Sequence, residues 1–301
     1  MQAANRVAVN TIIQYVRLIL NVLIGLISVR LILNALGEDD YGVYDVVAGV
    51  ISLIGFISSS LNQTSLRFIS VSLGKNDSED IRTTFNNCFW LHLFIALGIS
   101  LLLEIVGLFL FDGFLNIASD RIYAAQCVYH FMVITLFLNI LITPLNALII
   151  AHEKFIFTAG ISILDSLLKL AIAFALIYTS QDKLILYGFL MAAVTGINVL
   201  LDFVYVRVSY KNEVSLSKPC LSGMKEVTGF AGWTLLDVIG SAATRQGYTI
   251  LINKYFGTAM NAVFALARQV EGHIYTISTS VIDTMKPQII SAYAGRKGGR
   301  T

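Results

Sequence analysis

Short polar breaks divide the chain into eight apolar stretches, near residues 9–33, 42–66, 87–111, 122–150, 155–179, 184–206, 229–252 and 259–285. Each is long enough to cross a hydrocarbon core about 30 Å thick as a helix. Helices satisfy every backbone polar group within lipid, so the pattern predicts an all-α integral membrane protein. Its fold class is about eight transmembrane helices, one complete six-helix lobe plus the first two helices of a second.

The polar positions inside those stretches are periodic. Asn10, Gln14, Arg17, Asn21, Gly25 and Ser28 recur every three or four residues and make one face of span one. Asp45, Gly49, Ser52, Ser59 and Asn62 do so more weakly in span two. Thr234, Asp237, Ser241, Arg245 and Tyr248 mark span seven, and Asn261, Arg268, Gly272, Tyr275 and Thr279 mark span eight, with Glu271 close to Arg268. Charged groups at mid-membrane are costly, so they face a wet cavity or a partner. Asp165 and Lys169, four apart on span five, have the spacing of a local ion pair. Arg17 has no acid three or four residues away, and a guanidinium fork suits phosphate oxygens. His92 and His130 read as packing residues. Glu104 and Asp202 lie near span ends, within reach of the interface. Gly55, Gly98, Gly160, Gly188 and Gly196 read as close helix contacts.

Two segments repeat. Leu36-Gly37, Tyr41-Gly42 and Leu73-Gly74-Lys75 match Phe256-Gly257, Asn261-Ala262 and Ala294-Gly295-Arg296, about 220 residues later. Spans one and two therefore correspond to seven and eight, and the unit holds six helices in parallel orientation. The domains expected are a lobe over 1–212, a cytoplasmic linker over 213–224, and the first two helices of a second lobe over 225–301. The tail from Gly295 reads as a loop, so four to six further helices are expected beyond it.

Composition adds limits. Charged residues are only 13% and mean hydropathy is +0.74, far from a soluble domain. With the amino terminus inside, alternation places Arg6, Arg67, Lys75, Arg82, Lys154, Arg207, Lys211 and Lys225 inside, but only Arg30, Arg121, Lys183 and Lys254 outside. That is the positive-inside bias of a multi-pass protein with a cytoplasmic N-terminus. Cys88, Cys127 and Cys220 have no metal or redox spacing. No phosphate loop, zinc-ligand spacing or basic nucleic-acid-binding domain is present. An enzyme, a resident cofactor, a metal site and a nucleic-acid partner are not expected.

The residues resemble the polysaccharide (O-antigen and capsule type) flippases of the multidrug/oligosaccharidyl-lipid/polysaccharide exporter superfamily. The likeness rests on Ser28-Val29-Arg30, Leu36-Gly37 and Asp40-Tyr41-Gly42-Val43-Tyr44, with Arg67-Phe68 and Leu73-Gly74-Lys75. It continues through Ile150-Ala151-His152-Glu153-Lys154, Phe230-Ala231-Gly232-Trp233, Asn253, Phe256-Gly257 and Pro287-Gln288-Ile289. The resemblance implies two six-helix lobes in a V, with helices one, two, seven and eight lining the cavity. It implies alternating-access transfer of a polyprenyl-diphosphate glycan across a bacterial inner membrane for surface polysaccharide synthesis. The partners would then be the lipid-linked oligosaccharide, membrane lipids and glycan assembly proteins. Arg17, Arg245 and Arg268, with Asn10, Gln14 and Asn21, are the substrate-binding candidates. Asp45, Asp237 and Glu271 are the candidates for a coupling Na+ or H+. The alternatives are an ion-coupled drug or organic-cation antiporter of the same superfamily and a non-transporting fragment.

Overall fold

A computed structural model describes residues 3–52, 54–115, 117–214 and 219–298. Every regular element among them is helical: α1 (Ala3–Ser52), α2 (Phe56–Gly74), α3 (Ser78–Phe109) with a π-helical turn at Leu110–Phe114, α4 (Ile122–Ala151), α5 (Phe155–Tyr178), α6 (Lys183–Ser209) and α7 (Leu221–Gly298). Among the described residues, five helical segments are long and apolar enough to cross a membrane: Val7–Ile51, Ser78–Asp112, Ile122–Ala151, Phe155–Tyr178 and Lys183–Ser209.

The breaks differ from the apolar pattern in two places. No loop separates spans one and two. α1 runs through span one into span two and bends at Gly37, whose φ of 81° and ψ of 172° suit only glycine. The interruption falls instead within span two, at the Ile54–Gly55 turn that precedes α2. Spans seven and eight are likewise one helical element. Ala231 and Ser291 both touch α2. A straight helix between them would be about 90 Å long, against about 28 Å for the whole of α2. α7 therefore doubles back as a hairpin. Its helix continues through Gly298, so Gly295 lies in a helix and not in the expected loop.

α4 is apolar on all sides and accordingly sits in the middle of the lobe. It packs against α6, α3, α2 and α1. Val128, Tyr129, Val133, Ile140, Ala147 and Leu148 are buried there. Among the small positions, Gly188 is a close contact: a methyl group there would lie 3.1 Å from Val128 Cγ2. Gly98, Gly160 and Gly196 have open space beside them, so those three are not contacts. The tight sites are Gly74, Gly107 and Gly223.

Polar groups at the loop ends hold the lobe's rim. Arg121, before α4, bridges Asp40 of α1 and Asp182 before α6, the latter at 2.8 Å. Lys183 donates to the Ala35 carbonyl at 3.1 Å. Burial opposes ionisation of Asp182. The amides of Ile185 and Leu184 and the Arg121 guanidinium outweigh it and hold the carboxyl below the usual carboxylate range. At the other end Asp77 caps α3, accepting from the Glu79 amide at 2.9 Å. His152 bonds Glu213 at 2.7 Å and stacks on Tyr210. Glu104 pairs with His130 at 2.9 Å. Asp202, placed by its sequence position near the interface, is only 1% exposed. His92 is buried against the Cys88 carbonyl. None of the three cysteines is in a disulfide.

Candidate functional site

Among the described residues, hydrogen bonds and tight contacts join α7 to the first six spans at the two ends of the hairpin. Ser60 of α2 donates to the Ala231 carbonyl at 3.1 Å. Thr64 meets Thr234 at 3.3 Å. The Arg67 guanidinium lies 4.1 Å over the Phe230 ring, which also packs edge-on against Phe68. At the returning end, Thr284 meets Thr11 at 3.1 Å. Gln288 donates to Glu153 at 2.8 Å, and Gly74 and Gly295 lie backbone to backbone.

The sequence repeat is kept at part of this contact. At its offset of about 220 residues Thr64 matches Thr284 and Gly74 matches Gly295, while Thr11 falls opposite Ala231 and not Thr234. Gly74 therefore touches its own counterpart. Such pairing is what an approximate two-fold axis between α2 and the end of α7 produces. Away from these contacts Ile19, Leu23, Leu26 and Ile27 of α1 are exposed, as are Leu236, Leu251, Ile274 and Ile282 of α7. The described contacts gather at the Gly74 end, where the expected V has its apex.

The apex of the V gathers several of the expected residues. Gln14 lies one turn from Thr11 and is 8% exposed, and its Oε1 has no hydrogen-bond partner among the described residues. Asn10 is also 8% exposed. Arg17, half-buried, follows one turn beyond Gln14. Among the described residues no carboxylate pairs with it. The field of Asp283 on α7 reaches it, but Asp283 itself holds Lys286 at 2.7 Å. Asp237 lies one turn from Thr234, as Gln14 does from Thr11, and is exposed. The apex thus presents an amide and a guanidinium from α1 and a carboxylate from α7.

Other expected residues sit elsewhere. Both amide atoms of Asn21 are taken by α5: it donates to Ser162 at 2.7 Å and accepts from Ser166 at 3.0 Å. Arg268 pairs with Glu271 at 3.1 Å, out on the hairpin. Asp45 is exposed on the second half of α1. Lys169 holds Asp165 at 2.8 Å, and Asp165 also accepts from Asn198 at 2.8 Å. The side chain of Arg245 lies outside the described residues. Sequence reasoning passed over the apex contacts Ser60, Arg67 and Phe230 as site residues; the repeat of Leu73-Gly74-Lys75 at Ala294-Gly295-Arg296 was a signal that marked the place.

The MatE family model matches residues 15–175, more than half of the chain. The chain belongs to the MatE family. No curated protein matches it. Among solved structures it is similar to a MATE in complex with MaD3S, at 14% identity and a TM-score of 0.79, covering 97% of this chain and 66% of that one. It is similar to an outward-facing multidrug resistance MATE family transporter of the MOP superfamily, at 13% identity and a TM-score of 0.78, covering 97% and 65%. It is also similar to a MOP superfamily transporter from Pyrococcus furiosus, whose binding pocket of reverse polarity is said to suggest a different function. That match has 13% identity and a TM-score of 0.77 and covers 97% and 65%. At these identities the likeness is one of fold, and the chain spans just under two thirds of the MATE and MOP structures. The MatE match takes in Arg17, Asn21 and the α5 partners Ser162 and Ser166, while Gln14 lies one residue before its start.

Proposed function

We propose that the chain works in an ion-coupled exporter that moves amphipathic organic cations through the V by alternating access. The observation that carries the reading is the exposed Asp237 carboxylate, one turn from the apex contact in a MatE-family fold. An ionised carboxylate at that depth is stable only where water reaches it. A cation entering the V replaces that water and gains the full charge interaction in a medium less polar than bulk solvent. Gln14 supplies an acceptor through Oε1. The protein makes and breaks no bond; it provides a wet path that hydrocarbon lacks.

A second reading is favoured by one observation, the lack of an ion-pair partner for Arg17 among the described residues. It fits a polyprenyl-diphosphate glycan, whose diphosphate a guanidinium binds in a bidentate manner. One experiment separates the two. Cells producing the protein are assayed for efflux of a cationic dye and for outward transfer of the lipid-linked glycan. The cation reading expects dye efflux that Asp237→Asn abolishes and Arg17→Ala leaves in place. Glycan transfer that depends on Arg17, without dye efflux, would replace it with the second reading.

A further inference from the structure

α6 holds two buried acceptors with nothing to accept. Asp202 is 1% exposed, and its Oδ2 has no hydrogen-bond donor among the described residues. One turn earlier, Asn198 Oδ1 is buried in the same condition. Residues four apart share a helix face, with Cβ atoms about 5–6 Å apart. Asn198 gives one N–H of its amide to Asp165 Oδ1 at 2.8 Å, and Asp165 Oδ2 holds Lys169 at 2.8 Å.

Among the described residues no charged group is paired with Asp202. The ionisable groups of α5 that lie toward α6, Asp165 and Lys169, already pair with each other. α4 has no ionisable side chain between His130 and His152. α1 meets α6 through Tyr44 on Tyr187, at the far end. On α6 itself, Arg207 donates to the Val214 carbonyl and Tyr205 stacks on Phe157. An unpaired buried carboxylate is too costly to persist as an ion. A single proton resolves both defects, because a neutral carboxyl has an O–H to give and Asn198 Oδ1 has room to take it. A hard metal cation needs about six oxygens, many more than this pair provides.

We infer that Asp202 is a proton-binding site inside the first lobe, its O–H donated to Asn198 Oδ1. Asn198, Asp165 and Lys169 then form a polar path from it to the side of α5, where the Lys169 side chain is 37% exposed. That this proton is the coupling ion rests on the exporter reading; its presence does not.

The test uses the full-length protein in lipid nanodiscs. Infrared spectra near neutral pH should contain the carbonyl stretch of a protonated carboxyl, lost in Asp202→Asn. A wild-type spectrum of ionised carboxylates alone, or an equal band in Asp202→Asn, overturns the site. If the variant does not accumulate, isotope-labelled aspartate in the wild type decides in the same way. Stability follows with a fixed sign. A folded-state acid that keeps its proton where the unfolded chain releases it makes stability fall as pH rises, so the wild type loses thermal stability toward alkaline pH and Asp202→Asn does not. In vesicles with a pH gradient, Asp202→Asn should still bind the dye but lose gradient-driven efflux. Undiminished gradient-driven efflux overturns the coupling role. If the wild type moves no dye, the exporter reading falls, and the infrared band alone judges the site.

Discussion

Tyr129 shows how a single residue is held inside this lobe. It is 1% exposed, gives its hydroxyl to the Leu103 carbonyl, and packs edge-on against Phe111. Its ring fills the space beside Gly107, where an added methyl group would lie 2.6 Å from Cε1. The ring cannot yield without breaking its hydrogen bond, so Gly107→Ala should destabilise by about 1–3 kcal/mol, the usual cost of overpacking. Gly98, with open space beside it, is the control. There alanine should be neutral or stabilise by up to about 1 kcal/mol through helix propensity. Thermal unfolding of the two variants in one detergent makes the comparison; equal melting points would remove the Tyr129 constraint. Both glycines look alike in the sequence, because which face of α3 meets α4 is not written in its composition.

The elements are set by a few special positions. Gly37 lets α1 turn at the end of span one without unwinding, and the acids that follow it reach Arg121 through Asp40. No side chain fits the Gly37 backbone well, so Gly37→Ala should cost about 1–3 kcal/mol. It should also loosen the Arg121 bridge, read as faster proteolysis between α1 and α2; unchanged melting and cleavage would show that the bend does not depend on glycine. The bend itself was legible as a Leu-Gly motif before acidic residues. The break at Ile54–Gly55 was not, because Gly49, Ser52 and Gly55 all stand in the run from Val46 to Ile57 and only packing against neighbouring helices decides at which of them it gives way. The Asp165 and Lys169 spacing was legible because four residues on one helix are neighbours in any fold. The bond from Asn21 to Ser162 and Ser166 was not, since it needs α1 and α5 side by side.

At the scale of the whole molecule, the apex joins two hydroxyl pairs, the Gly74 and Gly295 backbones, the Gln288–Glu153 bond and the Phe230 ring held by Arg67 and Phe68. Under the exporter reading this is the contact that opens and closes. Cysteines in place of Thr11 and Thr284, whose hydroxyl oxygens are 3.1 Å apart, should form a disulfide under mild oxidation. So should a pair at Thr64 and Thr234, at 3.3 Å. Either bond should stop transport, and reduction should restore it. Crosslinks at both places without loss of transport would mean that this end stays closed throughout the cycle.

Membrane insertion, helical class, and the correspondence of spans one and two with seven and eight follow from the sequence alone, because apolar length and periodicity act locally along the chain. The choice among polar faces does not. Asn21 and Gln14 share one stripe of α1, yet the first is consumed by α5 and the second is left with a free acceptor near the apex. Asp202 has the composition of an interfacial residue and the surroundings of a core one. Neighbouring helices decide those cases, since burial and pairing are properties of what lies across the gap, and only the folded arrangement brings those partners together.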